Sequence, residues 1–439
     1  MAGGGERRAL FEALRNLSVK ALSLGFERVC RLAVVILSAR VLGQAAFGRF
    51  VFASTATALL ALGTDLGLGV WTTRSLARRG GDDDRVIRFG LLARATAAVP
   101  YGLAVAALAA WAEPGEARWA IVFLGIAALL NAFVDHVSAV LRGHERFTRE
   151  ARLNSVRAVL TLALGFSGLA LGRTLAAVCV GLAAAAVGSL LYGAAALGSA
   201  HPGALRARRS GPAIDGALVR GALRESLPIW VAGLFSMLYF KVDTLLLGPI
   251  AGDAELGAYG AAYKFFEGAM ILPAVLLAVT FPRLARAHGY PRAQRRLERR
   301  VTALLLAMGL CVGAVFLGAG RPLVHLVLGG SFERALPSLR VLACGVPLLF
   351  LNFGLTHFLV ARDRGRATQW LSMAMLGINV TLNALLIPRA GGPGAACATV
   401  LTELALTAGC LAALRLAPAP VQALRPSAPE APRTGQRAA

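Results

Sequence analysis

Twelve stretches of about twenty residues or more run through this chain as Leu, Ala, Val and Gly with few charges. That length lets one helix cross the roughly 30 Å of hydrocarbon in a bilayer. Inside hydrocarbon the backbone must satisfy its own hydrogen bonds, so only helices and closed barrels cross it. The period-2 alternation of a barrel strand is absent from these stretches. The pattern predicts an all-α integral membrane protein with spans at 17–40, 47–71, 87–111, 118–140, 153–172, 174–198, 227–249, 256–281, 301–320, 337–360, 367–388 and 393–415. Only 16% of the 439 residues are charged, against about 25% in soluble domains. Little chain is left for a large soluble domain, which excludes most metabolic enzymes.

The loops set the expected orientation. Arg74, Arg78, Arg79, Arg85 and Arg88 follow the second span, and Arg142, Arg146, Arg149 and Arg152 follow the fourth. Arg206, Arg208, Arg209, Arg220 and Arg224 follow the sixth. The loops after the eighth and tenth spans are basic as well, whereas the odd loops at 112–118 and 251–257 are short and nearly neutral or acidic. Basic residues are retained on the cytoplasmic side, so the chain is expected to be multi-pass with both termini in the cytoplasm. The net charge of +23 therefore reports orientation in a phospholipid bilayer and not a nucleic-acid partner. The six cysteines fall in apolar stretches without a CxxC pair and read as small buried hydrophobes.

The longest polar stretch falls after the sixth span. The expected organisation is a cytoplasmic segment 1–16, a six-helix bundle 17–198, a cytoplasmic linker 199–226, a second six-helix bundle 227–416 and a disordered tail 417–439. Leu42-Gly43 before Phe47-Gly48, and Leu247-Gly248 before Leu256-Gly257-Ala258-Tyr259, form a weak internal repeat. Both first spans run outward, so the two bundles are parallel repeats, one known transporter plan.

Ionisable groups inside spans are the functional pointers, because an unpaired charge at mid-bilayer costs at least about 2.5–3.5 kcal/mol. The first span carries Lys20, Glu27, Arg28 and Arg31. At 100° per residue, Lys20, Glu27 and Arg31 share one stripe. Asp65, Arg94, Asp135, His136, Lys241, Asp243, Lys264, Glu267, His357 and Glu403 lie in later spans. Two readings stand open. The charges pair and lock the fold, as Glu27 with Arg31 or Lys264 with Glu267, or they line a wet cavity suited to pyrophosphate. The substrate candidates are Glu27, Arg28, Arg31, Arg94, Lys241, Asp243, Lys264 and Glu267. The ion-coupling candidates are Asp65, Glu403, His357, Asp135 and His136.

The segment 38–80 resembles the opening of the polysaccharide-repeat-unit (Wzx-type) flippases of the multidrug, oligosaccharidyl-lipid and polysaccharide exporter superfamily. The matching elements are Ala39-Arg40, Leu42-Gly43, Phe47-Gly48, Asp65-Leu66-Gly67 and Arg74. Pro228, Asp243, Leu247-Gly248, Gly257-Ala258-Tyr259, Ala262-Tyr263-Lys264 and Phe281-Pro282 carry it into the second half. The resemblance implies a V-shaped pair of six-helix lobes that moves a polyprenyl-pyrophosphate-linked oligosaccharide across the bacterial inner membrane by alternating access. It also implies work beside a polysaccharide polymerase and a chain-length regulator. Many relatives carry up to two more helices than the twelve spans counted here.

No P-loop, HExxH or GxSxG occurs, so no cofactor, metal or catalytic constellation is expected. The acidic run Asp82-Asp83-Asp84 reads as a solvated loop. An ion-coupled multidrug exporter of the same fold and a membrane polymerase or glycosyltransferase are the alternatives. The short outer loops, the longest at about 321–336, argue against the polymerase.

Overall fold

The computed structural model describes residues 3–78, 83–201, 214–287 and 290–415. The tail 417–439, residues 202–213 of the expected linker, and Asp82 lie outside them. The described residues form α1 (Gly3–Asp65), α2 (Leu68–Ala77), α3 (Asp83–Trp111), α4 (Glu116–Gly143), α5 (Phe147–Gly172) and α6 (Leu175–Ala200). There follow α7 (Gly216–Ala251), α8 (Asp253–Ala269), α9 (Ile271–Arg286), α10 (Pro291–Val327), α11 (Ala335–Ala361) and α12 (Gly365–Arg415). The protein is an all-α membrane fold. Ten segments are long and apolar enough to cross a bilayer. Two of these break at a glycine with positive φ, at Gly43 (φ 76°) and at Gly391 (φ 56°). Left-handed backbone is open to glycine at little cost, so each break divides one long helix into two, and twelve apolar segments result among the described residues.

Local chemistry explains several boundaries. Thr174 accepts from the Ala177 amide at 3.3 Å to open α6, and Asp215 accepts from the Leu218 amide at 2.8 Å to open α7; both are helix N-caps. Thr57, Ser189 and Thr402 return their hydroxyls to the carbonyl four residues back, which satisfies them where water is absent. The stretch expected as the longest outer loop is largely helical. Helix α10 runs on to Val327, a 3-10 turn occupies Gly330–Phe332, and α11 begins at Ala335. Arg321, Pro322 and His325 interrupt the hydropathy there without interrupting the helix.

Helices α1 to α6 pack on one another, and so do α7 to α12, giving two lobes in a V. Between them α1 crosses α8 and α7, and α2 touches α7. In the orientation expected from the loop charges, the α1–α8 crossing is the outer one. There Gly48 rides on the Asp253 carbonyl and Gly257 on the Gln44 carbonyl, so closely that a Cβ on either glycine would collide with backbone. Small residues let helix backbones approach in lipid. Arg49 bridges the same seam, its Nε 2.9 Å from Asp253 Oδ2 and its Nη1 3.4 Å from Glu116 Oε2. Gln44 donates to the Ser331 carbonyl at 2.5 Å, and Arg40 to that of Leu326. Phe332 meets Phe47 edge-on at 5.9 Å. At the opposite end Trp230 donates its indole N–H to the Leu62 carbonyl at 2.8 Å. Helix α9 makes at most marginal contact with α1 among the described residues. It leaves Ile271, Leu272, Val275 and Val279 uncovered, as α1 leaves Leu22, Phe26 and Val29.

Candidate functional site

In the first lobe, four charged groups gather from three helices. Glu27 on α1 is buried. It accepts from Arg31 Nη2 at 2.6 Å, one turn along the same helix, and from Arg157 Nη2 of α5 at 2.9 Å. Arg157 Nη1 reaches Asp135 Oδ1 of α4 at 2.6 Å. The side chains of Arg31 and Asp135 stay 68% and 64% exposed. Arg28 is exposed and has no ion pair among the described residues. Two carboxylates thus face two arginines, with Arg28 exposed beside them in sequence. Arg157 was not among the sequence candidates, although an arginine inside a predicted span is the same signal that marked the others.

The second lobe gathers charges of its own. Lys241 Nζ of α7 lies 3.3 Å from Glu267 Oε1, and Lys264 Nζ of α8 lies 2.7 Å from Glu267 Oε2. Lys241 also sits over the Tyr263 ring, 5.3 Å from its centroid, in cation–π geometry. Two ammonium groups share one carboxylate in direct contact, and the buried acids Asp243 and Glu403 lie in the same lobe.

Depth and exposure together constrain what surrounds these groups. Lys264 is seven residues from Gly257 along α8, and Arg31 twelve residues from Gly43 along α1. At 1.5 Å per residue they lie roughly 10 and 18 Å inside the outer seam, near the middle of the hydrocarbon. An exposed charge at that depth is costly against lipid tails.

Other sequence candidates are enclosed instead. Arg94 is 1% exposed. It donates to Asp65, to the Gly90 carbonyl at 3.1 Å and to His136 Nδ1 at 3.0 Å. The other ring nitrogen of His136 donates to the Ile87 carbonyl at 3.1 Å. Asp65 Oδ1 also accepts the Gly69 amide at 3.1 Å, at the turn where α1 gives way to α2. Asp243 is 2% exposed; it accepts from Tyr259 and from the Thr244 amide at 2.6 Å. The sequence groups Arg94 and Asp243 with cavity residues. The structure encloses both, because each has its protein partners at hand and no open side. Glu403 is buried under Tyr239 Oη at 2.7 Å and Asn352 Nδ2 at 2.7 Å. His357 gives Nδ1 to the Phe353 carbonyl at 2.6 Å and stacks on that ring at 4.8 Å. Lys20, first on the predicted stripe, turns toward Glu150 at 3.9 Å, which Arg142 holds at 2.8 Å. Among the described residues no group of His, Cys, Asp and Glu is arranged to hold a metal ion.

A sequence model of the family described as polysaccharide biosynthesis protein matches residues 13–288, and a second, described as MatE, matches residues 228–385. A probable flippase, AglR, of Haloferax volcanii is 28% identical over 208 residues, covering 45% of this chain and 42% of that protein. A probable multidrug resistance protein, NorM, of Geobacillus kaustophilus is 32% identical over 211 residues, covering 44% of this chain and 45% of that protein. The chain thus spans less than half the length of these curated relatives. Among solved structures, an inward-facing multidrug resistance transporter of the MATE family superposes with a TM-score of 0.72 at 16% identity, over 89% of this chain and 94% of that one. The lipid II flippase MurJ in an inward closed conformation gives 0.71 at 13% identity, over 90% and 87%. These likenesses show the two-lobed exporter fold.

Proposed function

The chain belongs to the polysaccharide biosynthesis protein family, and from that premise we propose that it flips a polyprenyl-pyrophosphate-linked oligosaccharide from the inner to the outer leaflet of the bacterial inner membrane. The single observation that carries this reading is the pair of basic side chains that each lobe carries deep within its spans. Arg28 and Arg31 in one lobe, and Lys241 and Lys264 in the other, suit a pyrophosphate that arrives between them. Guanidinium groups fork onto phosphate oxygens, and ammonium groups add compact charge. Glu27 holds Arg31, and Glu267 holds Lys241 and Lys264.

The path follows from the two ends of the V. With the outer seam closed at Gly48 and Gly257, the headgroup enters from the cytoplasm, and the lipid tail stays in the bilayer through the gap between α1 and α9. Opening the seam while the inner ends approach releases the headgroup outside. The sequence holds no P-loop, so the energy is assigned to an ion gradient or the membrane potential. Asp65 and Glu403 are the carboxylates proposed for coupling. Work beside a polysaccharide polymerase and a chain-length regulator belongs to the same proposal.

The test is flipping of a lipid-linked oligosaccharide in proteoliposomes, with and without an imposed ion gradient. Arg28→Ala/Arg31→Ala and Lys264→Ala are each expected to lower the rate at least about tenfold, as loss of a charge-assisted phosphate contact does. Unchanged rates at equal incorporation would remove these residues from the mechanism. The MatE match favours one rival, a multidrug exporter. Cationic drugs, however, would meet like charge in both clusters. Drug efflux by the same proteoliposomes, with no movement of the lipid-linked sugar, would replace the flippase reading.

A further inference from the structure

A crevice of about 450 Å³ opens between α3 and the first turns of α7, within the roughly 300–1,000 Å³ of small-molecule pockets. Its walls are apolar, with Phe89, Leu92 and Ala97 on one side and Val219 and Leu223 on the other. Helix α3 belongs to the first lobe and α7 to the second, so the crevice lies in the seam between them. Leu92, Val99 and Leu103 continue its α3 wall as an uncovered apolar stripe, 44%, 65% and 68% exposed. Such a stripe, one residue per turn, is a face that lipid covers. The crevice is thus open to the bilayer, away from the charged clusters and from the gap between α1 and α9.

Its inner end is ringed by charge. Arg85 of α3 bridges to Asp215, the N-cap of α7, at 2.9 Å. Of the other acids at these ends, Glu225 is bridged by Arg78 at 3.6 Å, while Asp83 and Asp84 lie 3.8 Å and 3.6 Å from His144 and His201, contacts that are ionic only when the imidazole is protonated. Arg88, Arg220 and Arg224 have no ion pair among the described residues. Arg88 stands one turn before Leu92 on the same face of α3. Arg220 and Arg224 stand one turn apart on α7, each next in sequence to a lining residue.

An apolar slot whose flanking helix turns carry three arginines free of ion pairs matches a molecule with a hydrocarbon chain and a phosphate. We propose that this crevice binds an anionic phospholipid of the inner leaflet. An acyl chain lies between α3 and α7, and the phosphate rests on Arg88, Arg220 and Arg224. The arginines select negative headgroups, and the slot requires a chain. Because the lipid touches both lobes, its seat exists only while this seam keeps its present spacing. The site stands apart from the cargo clusters, so its occupancy does not depend on what the protein transports.

The experiment is native mass spectrometry of the full chain, delipidated in detergent and offered phosphatidylglycerol or phosphatidylcholine with matched chains. The wild type is expected to retain phosphatidylglycerol in preference. Arg88→Gln/Arg220→Gln/Arg224→Gln should reduce that retention by about fivefold per arginine, down to the phosphatidylcholine level. Ala97→Trp fills the slot, keeps the arginines and should lower retention of both lipids. Arg295→Gln/Arg296→Gln, at another exposed basic segment, should leave retention unchanged. Equal retention of the two lipids by the wild type, or undiminished phosphatidylglycerol on both the triple variant and Ala97→Trp, overturns the proposal. Displacement of phosphatidylglycerol by an equal concentration of polyprenyl phosphate would also overturn it, by making the crevice part of the cargo route.

Discussion

Placing one methyl group on Gly257 should open the outer seam. The Cβ of Gly257→Ala would run into the Gln44 carbonyl of α1. A backbone carbonyl cannot swing aside as a flexible side chain can, so the helices must separate. Overpacking of this kind costs about 1–3 kcal/mol. Alanine also favours the helix by roughly 1 kcal/mol over glycine, but α8 is helical whether the seam is open or shut, and that gain cancels. The seam-closed state alone bears the penalty, and the closed-to-open ratio should fall by about 5- to 150-fold. Val51, 8% exposed and packed against Gly260, reports on the seam when replaced by Cys in a variant lacking the six native cysteines. Labelling from outside with a membrane-impermeant maleimide should accelerate in Gly257→Ala and in Gly48→Ala. It should stay at the parent rate in Gly233→Ala, where a Cβ meets nothing within 4 Å. Parent-rate labelling of both seam variants would refute the reasoning that backbone contact at these two glycines holds the lobes together.

Two further outcomes follow from the enclosed charges and from the cytoplasmic corner. Asp65→Ala leaves the buried Arg94 guanidinium without its carboxylate, a loss of about 3–5 kcal/mol; thermal unfolding in detergent should show a clear drop in midpoint, smaller in Asp65→Asn, and an unshifted Asp65→Ala would deny the pair its structural role. His144, stacked on His201 at 4.7 Å, titrates below the ordinary histidine value, chiefly through burial and then through the charge of His201. A depressed histidine pKa means that the unfolded chain takes up a proton first. Stability is therefore full above about pH 6.5 and declines as pH falls from there toward the folded-state value. His144→Gln should flatten the decline in melting temperature between pH 7 and pH 5, and an equal slope in both proteins would contradict this.

Much of the architecture was legible from one-dimensional chemistry. Runs of apolar residues announce helices in lipid whatever lies around them, and Gly43 marks a turn because left-handed backbone is open to it. Membrane-embedded charges such as Arg31, Lys264 and Glu403 stand out because hydrocarbon tolerates few of them. Only the tertiary structure decided which of those charges stay exposed. Arg157 meets Glu27 from 130 positions away, and Arg94 finds Asp65 and His136 around its buried guanidinium, while Arg28 has no acid partner among the described residues. An insertion cost belongs to a residue and its depth, so a sequence can display it. A partner belongs to the packing of helices distant along the chain, and the seam at Gly48 and Gly257 exists only once two lobes have folded against each other.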